Sequence, residues 1–135
     1  MTNSEFKRRI EENELYEFDI HHNHYYGVPK KELNEQISKG KIVIKDVDVN
    51  GTENLVKLLK EDMKVITIFL RVPREELKQR LEERIDKPSK EEIDLRLSRF
   101  DFEESKIGNY DCVRENTDKE KTVNEVIAII KVKLT

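Results

Sequence analysis

Apolar residues spaced four apart along the chain predict a series of amphipathic helices. Proline, serine and threonine at the start of several of these segments support the assignment, because these residues favour the first turn of a helix. The predicted helices, with their inward positions, are Ser4–Glu12 (Phe6, Ile10), the segment from Pro29 to Gly40 (Leu33, Ile37), Thr52–Met63 (Leu55, Leu58, Leu59), the segment after Pro73 (Leu77, Leu81), the segment after Ser89 (Ile93, Leu97, Phe100) and the segment after Thr117 (Val123, Val126, Ile127, Ile130).

Strict alternation of apolar and polar residues occurs once, between Leu15 and His21. Tyr16, Phe18 and Ile20 fall on one face, and this pattern predicts a half-buried strand. Continuous apolar runs predict strands that are buried on both faces, and a shorter segment near the C-terminus predicts one more strand. These further strands are Ile42–Val49, Val65–Val72 and Tyr110–Glu115.

The order of the elements predicts an α/β fold. Strands and helices alternate over the C-terminal two thirds, as in a parallel sheet flanked by helices, whereas the front third predicts a small antiparallel insertion. Ligands of open parallel sheets bind beyond the carboxyl ends of the strands. Asp46 and Asp48 are two residues apart at the carboxyl end of the first predicted parallel strand, and we therefore expect both to lie at a binding site.

Composition and charge narrow the range of partners. Charged residues make up 41% of the 135 positions, yet 26 basic and 29 acidic residues leave a net charge of only −3. Nonspecific nucleic-acid binding needs a basic surface, so no nucleic-acid partner is expected. The longest apolar run cannot cross a bilayer, and the N-terminus lacks the apolar region of a secretion signal. A single cysteine, Cys112, excludes an internal disulfide, and a cytoplasmic single domain is expected.

Four stretches of the sequence resemble guanylate kinases, in the order and spacing of that family and over almost the whole chain. They are Asn13–Phe18 with Asn23–Gly27, then Ile44–Gly51, then Leu77–Arg84, and finally Arg96 and Leu97 followed by Asn116. The resemblance implies a P-loop-kinase-like fold with a small β-rich insertion that binds GMP. It also implies a GMP-binding subdomain at about residues 1–40, a core at 41–81 and 108–135, and a lid with its following helix at 82–107.

The resemblance implies that three residues bind GMP: Glu17, Tyr26 and Asp48. Glu17 matches the carboxylate that recognises guanine, whose ring N–H and exocyclic amine suit two carboxylate oxygens. Adenine offers no such pair of donors, so it would leave the carboxylate unpaired. Tyr26 matches the tyrosine that donates to the GMP phosphate, and Asp48 matches a second guanine contact.

The same resemblance assigns residues to phosphoryl transfer from ATP with Mg²⁺. Asp46 matches a carboxylate near the reacting phosphates and magnesium, and Asn116 matches a position near the adenine of ATP. Arg80, Arg84 and Arg96 match arginines of the lid and the next helix, which close over the phosphates. Positioning and charge stabilisation account for most of this catalysis, and planar guanidinium groups suit both. The catalytic set is therefore Arg84, Arg96 and Asp46.

Departures from the family pattern limit this expectation. The sequence contains no Gly-x-x-x-x-Gly-Lys-Ser/Thr motif, since its Gly-Lys pair, Gly40-Lys41, has neither the earlier glycine nor the hydroxyl residue. We therefore expect the sheet to lack its first strand and its P-loop. Either the flanking strands pair directly, or another polypeptide fills the slot, or the chain is a fragment. Val28 replaces the family's Ser/Thr, and Ile85 replaces a lid glycine.

These departures leave alternative functions open. A catalytically dead module that binds phosphopeptides or protein partners in the GMP pocket would also tolerate loss of the P-loop, and a degenerate product would have no activity. His21, His22 and His24 could chelate a metal ion, but no second cluster completes a site and no metal site is expected. The favoured hypothesis is the GMP-binding and lid portion of a guanylate kinase, inactive alone.

Overall fold

The computed structural model describes residues 2–21 and 24–134, with the side chains of all of these except Asp19, His21 and His24. The chain divides into two compact units, Met1–Val65 and Ile66–Thr135. No helix in the described ranges is long and apolar enough to cross a membrane.

The first unit is built on a β-hairpin. Its two strands pair antiparallel, with Phe18 opposite Gly27 and Ile20 opposite Tyr25, so the antiparallel insertion predicted from the sequence is confirmed. The alternating segment forms a strand with the predicted bounds. Its apolar face is not buried as predicted, since Phe18 and Ile20 are 45% and 52% exposed and Tyr16 is only partly buried. The elements are α1 (Asn3–Glu11), β1 (Leu15–His21), β2 (His24–Pro29), α2 (Lys30–Ser38) and α3 (Val49–Leu59).

The core of the first unit lies between the hairpin and its helices. Val28, Leu33, Leu55 and Leu59 are buried together, and Tyr16, Ile37, Val43, Val47, Met63 and Val65 pack around them. Helix α1 adds Phe6, whose ring contacts Tyr25 with 5.2 Å between ring centroids. Gly27 permits this approach, since a Cβ atom there would lie 2.8 Å from Phe6. The hairpin is thus held by apolar packing that includes α1, α2 and α3.

The second unit contains a pair of parallel strands joined by helices. Strands β3 (Ile68–Arg71) and β4 (Cys112–Glu115) pair in parallel, with Phe69 opposite Val113. Thr67 and Asp111 fix the start of this pair, because the Thr67 amide donates to the Asp111 carboxylate at 2.8 Å and the Asp111 amide donates to the Thr67 hydroxyl at 2.9 Å. The helical elements are α4 (Arg74–Glu82), α5 (Lys90–Glu104), a 3₁₀ turn (Ile107–Asn109) and α6 (Lys119–Lys133). The α/β class with a parallel sheet is therefore confirmed.

One predicted strand is wrong. Residues 41–48 form neither helix nor strand, and Ile42 and Ile44 are 58% and 72% exposed, although the apolar run predicted a strand buried on both faces. A strand exists only where a neighbour takes up its backbone hydrogen bonds. Within the described part of the chain, β1 pairs with β2 and β3 with β4, and no strand pairs with this segment. Asp46 and Asp48 therefore do not lie at the end of a parallel strand here.

Helix starts and buried faces also differ from the prediction in places. Asp48 rather than Thr52 caps α3, and Asp118 rather than Thr117 caps α6, because each aspartate accepts from the backbone N–H three residues later. Ser89 caps α5 as predicted. The inward positions that prove to be exposed are Leu58, Val123 and Ile127, at 44–50%.

Candidate nucleotide site

Glu17 and Asp48 converge at the first turn of helix α3. Glu17 lies on β1, which packs against α3, and its side chain is half-buried. A Cβ atom built on Gly51 would lie 3.7 Å from Cγ of Glu17 and 3.0 Å from Oδ1 of Asp48. Two of the residues predicted to contact guanine thus meet around one glycine. Carboxylates near a helix N-terminus are stabilised there by the partial positive charge of its free N–H groups.

Asp48 has a structural role that the resemblance did not imply. Its Oδ1 accepts a hydrogen bond from the Gly51 amide at 2.7 Å, which fixes the carboxylate at the start of α3. A cap of this kind typically contributes about 1 kcal/mol. A carboxylate has about four acceptor positions, so the bond to Gly51 leaves capacity for a ligand. Asp46 is exposed in the irregular segment that precedes α3.

The hairpin gives its two tyrosines different environments. Tyr25 is partly buried against Phe6. Tyr26 points to the opposite side of β2 and is 60% exposed, so its phenol can reach a ligand. His22 of the histidine group and Asn23 of the stretch Asn23–Gly27 lie outside the described residues. Among the described residues, no group of three or more potential metal ligands is present.

An arginine network that the sequence analysis did not identify holds the first unit together. Arg9 of α1 donates to Glu32 of α2 at 3.0 Å and lies 3.8 Å from Glu14, while its side chain is only 17% exposed. The pKa of Glu32 is lowered, first by a hydrogen bond from its own backbone and then by the one from Arg9. Because Arg9 and Glu32 are 23 positions apart, local sequence patterns carry no signal for this contact.

Two of the three predicted phosphate-binding arginines are paired with nearby carboxylates. Arg80 pairs with Glu76 one turn earlier on α4, and Arg84 pairs with Asp86 at 2.8 Å in the following loop. Arg96 lies on the exposed surface of α5 and forms no ion pair with the residues that the structure describes. Arg80 and Arg96 belong to α4 and α5, which pack against each other, whereas Arg84 lies in the turn after α4.

Asn116 follows strand β4 directly. Its backbone N–H donates to the carbonyl of Arg71 at 2.7 Å, which extends the parallel pairing by one bond. The Arg71 side chain in turn donates to Glu104 of α5 at 3.0 Å. Arg74 makes a similar bond to Asp101 at 3.0 Å. These two pairs attach the C-terminal turns of α5 to the end of β3 and the start of α4, and the sequence analysis did not identify them.

The fold defines an α/β protein whose first unit brings Glu17 and Asp48 to the start of α3. A family model described as guanylate kinase matches residues 1–133. The chain belongs to the guanylate kinase family, and the assignment made from the four sequence stretches is confirmed.

Individual relatives agree with the family assignment. The chain is 37% identical over 127 residues to a guanylate kinase of Prochlorococcus marinus, covering 93% of this chain and 67% of that protein. It is 36% identical over 132 residues to one of Helicobacter pylori, covering 97% and 62%. The crystal structure of guanylate kinase from Anaplasma phagocytophilum matches with a TM-score of 0.76 and 28% identity, covering 98% of this chain and 63% of that one. The chain therefore spans about two thirds of the length of these relatives.

Proposed function

We propose that this chain binds GMP and supplies the acceptor and lid portion of a guanylate kinase. In the complete reaction, the γ-phosphoryl group of ATP is transferred to the phosphate of GMP, which yields ADP and GDP. Glu17, Tyr26 and Asp48 are the proposed GMP contacts, with Arg80, Arg84, Arg96 and Asn116 assigned to the phosphates and to ATP. Membership of the guanylate kinase family supports the reaction, while the residue roles rest on the resemblance and the geometry.

The convergence of Glu17 and Asp48 around Gly51 carries this proposal. Both side chains are acceptors when ionised, and the edge of guanine that bears N1–H and the exocyclic amine consists of donors. Charge-assisted hydrogen bonds of this kind are about twice as strong as neutral ones. Adenine places an acceptor at N1, so it would face these carboxylates with like polarity. The pair therefore favours GMP over AMP.

Phosphoryl transfer needs positioning and neutralisation of the phosphate charge. Arg84 and Arg96 would supply part of that charge, and closure of the loop at residues 83–89 would exclude water. Mg²⁺, when bound, neutralises phosphate oxygens, and the exposed carboxylate of Asp46 offers the oxygen donor that this ion prefers. The sequence carries no P-loop motif. We therefore propose that turnover requires a P-loop segment from another polypeptide or from a longer form of the protein.

Titration with GMP and AMP tests the binding proposal. We expect isothermal titration calorimetry to show GMP binding and at least 10-fold weaker binding of AMP, because adenine leaves the carboxylates without their donors. Guanosine provides the control for the contribution of the phosphate. Equal responses to GMP and AMP, or no response to either, would contradict the proposal.

An assay for ADP formation tests whether the chain is inactive alone. With ATP, Mg²⁺ and GMP present, we expect no ADP above the background of a reaction without GMP, because no P-loop backbone cradles the β- and γ-phosphates. GMP-dependent ADP production would show that this proposal of inactivity is wrong. Capture of phosphoserine peptides that GMP competes away would instead support a binding module.

A further inference from the structure

The turn that follows helix α4 brings Arg84, one of the proposed lid arginines, next to a carboxylate. The amide of Lys87 donates to the carbonyl of Arg84 at 3.0 Å and closes the turn. Lys87 has a φ of 43°, in the left-handed region that non-glycine residues rarely adopt. Within this turn, Nη2 of Arg84 donates to Oδ2 of Asp86 at 2.8 Å. The backbone geometry therefore brings the guanidinium and the carboxylate together over two residues.

Ile85, the residue between Arg84 and Asp86, restricts the backbone conformations of the turn. Ile85 is 99% exposed and has no role in packing within the second unit. A β-branched side chain narrows the backbone conformations open to a turn, whereas a glycine would widen them. The Arg84–Asp86 pair consequently forms in a segment with little freedom to separate its members, and less conformational entropy opposes it than in a flexible loop.

A carboxylate and a phosphate compete for the same face of a guanidinium group. Both accept parallel N–H hydrogen bonds in the same plane, and arginine matches each of them equally well. Asp86 thus occupies one donor of Arg84, Nη2, that a phosphate oxygen would use. Arg96, by contrast, forms no ion pair within the described part of the chain, so a phosphate would not have to displace a carboxylate there.

We propose that Asp86 sets the phosphate affinity of Arg84, by holding the guanidinium until a phosphate group displaces it. The proposal rests on the proposed function, in which Arg84 contacts a phosphate. Both members of the pair are solvent-exposed, at 41% and 60% of their side chains, so the pair is weak and readily exchanged. Its removal should therefore raise phosphate affinity only about two- to five-fold.

Inorganic pyrophosphate is the probe for this competition, because it presents phosphate oxygens without a base. The full chain, labelled with ¹⁵N, is titrated with pyrophosphate while the Nε–Hε signal of Arg84 is followed by NMR and assigned by its loss in Arg84→Lys. We expect the affinity reported by this signal to rise two- to five-fold in Asp86→Asn. Asp94→Asn removes one negative charge from the exposed surface of α5 and serves as the control. It should change the pyrophosphate affinity by less than about 1.5-fold, which is the effect expected from the loss of one charge alone.

Two results would overturn the inference. One is an equal effect of Asp86→Asn and Asp94→Asn, which would reduce the competition to net charge. The other is an Arg84 signal that does not respond to pyrophosphate in either protein. Neither result bears on guanine recognition by the first unit, which the GMP and AMP titration measures separately. Failure of the inference and failure of the proposed function can therefore be told apart.

Discussion

Replacing Glu17 with glutamine is expected to lower GMP affinity about 100-fold. The change keeps the size of the side chain but replaces one carboxylate oxygen with an NH₂ group, which would face the donors of guanine. Loss of a hydrogen bond to a charged group costs about 1.5–3 kcal/mol, and a donor left unpaired adds to that loss. A 100-fold change corresponds to about 2.7 kcal/mol, which lies within this range. AMP binding, which does not use the carboxylate in this way, should change little.

Calorimetric titration of Glu17→Gln with GMP measures the effect directly. Glu35→Gln is the matched control, because Glu35 is an exposed glutamate on α2 of the same unit and has no proposed ligand role. The control should bind GMP within two-fold of the unchanged protein. Retention of GMP affinity in Glu17→Gln would remove the central residue of the proposed site, whereas a parallel loss in both variants would point to a general charge effect.

The parts of the fold that depend on local pattern were predictable from the sequence. Alternation between Leu15 and His21 fixed both ends of β1, and the apolar segments around Phe69 and Val113 gave the parallel pair, although β3 is shorter than predicted. Each of these strands has a hydrogen-bonding neighbour within its own unit. The pattern therefore predicted where the backbone pairs, although Phe18 and Ile20 on the apolar face of β1 remain exposed.

The segment Ile42–Val49 has the same kind of pattern and a different outcome. Its apolar run is as continuous as that of β3, but a strand forms only when a second strand pairs with it. The apolar pattern of a segment does not show whether such a partner is present. Two of the predicted helix caps were wrong for a related reason. Near both α3 and α6, an aspartate and a threonine were each able to cap, and the position at which the helix begins decided between them.

The candidate site was predictable mainly through the resemblance. Glu17 alone is one polar residue on a half-buried strand, and its position beside Asp48 follows only from the packing of β1 on α3. Contacts such as Arg71–Glu104 join residues 33 positions apart, so no local pattern indicates them. The Arg84–Asp86 pair is an exception, because the two residues are close enough in sequence for the pair to be considered from the sequence alone.

Replacing Gly51 with alanine is expected to weaken both the fold and GMP binding. The new methyl group would lie 2.5 Å from Cγ1 of Val47 and 3.0 Å from Oδ1 of Asp48. Val47 packs against the core of the first unit, so it cannot move away without disturbing that core. Overpacking of this kind typically costs about 1–3 kcal/mol in the free energy of unfolding. Displacement of Asp48 and Glu17 should also lower GMP affinity at least 10-fold.

The sign of the stability change makes this substitution informative. In an open helical position, alanine stabilises a helix by about 0.5–1 kcal/mol relative to glycine. Gly108 is the matched control, because a Cβ atom built there meets no atom of the described residues within 4 Å beyond its own chain neighbours, and its φ is not in the left-handed region. Urea denaturation followed by circular dichroism should show that Gly51→Ala is destabilised and Gly108→Ala is not. The contrary result is a Gly51→Ala protein that is stabilised and binds GMP normally. It would mean that the start of α3 has room for a methyl group at this position. The close approach of Glu17 and Asp48 would then not depend on Gly51.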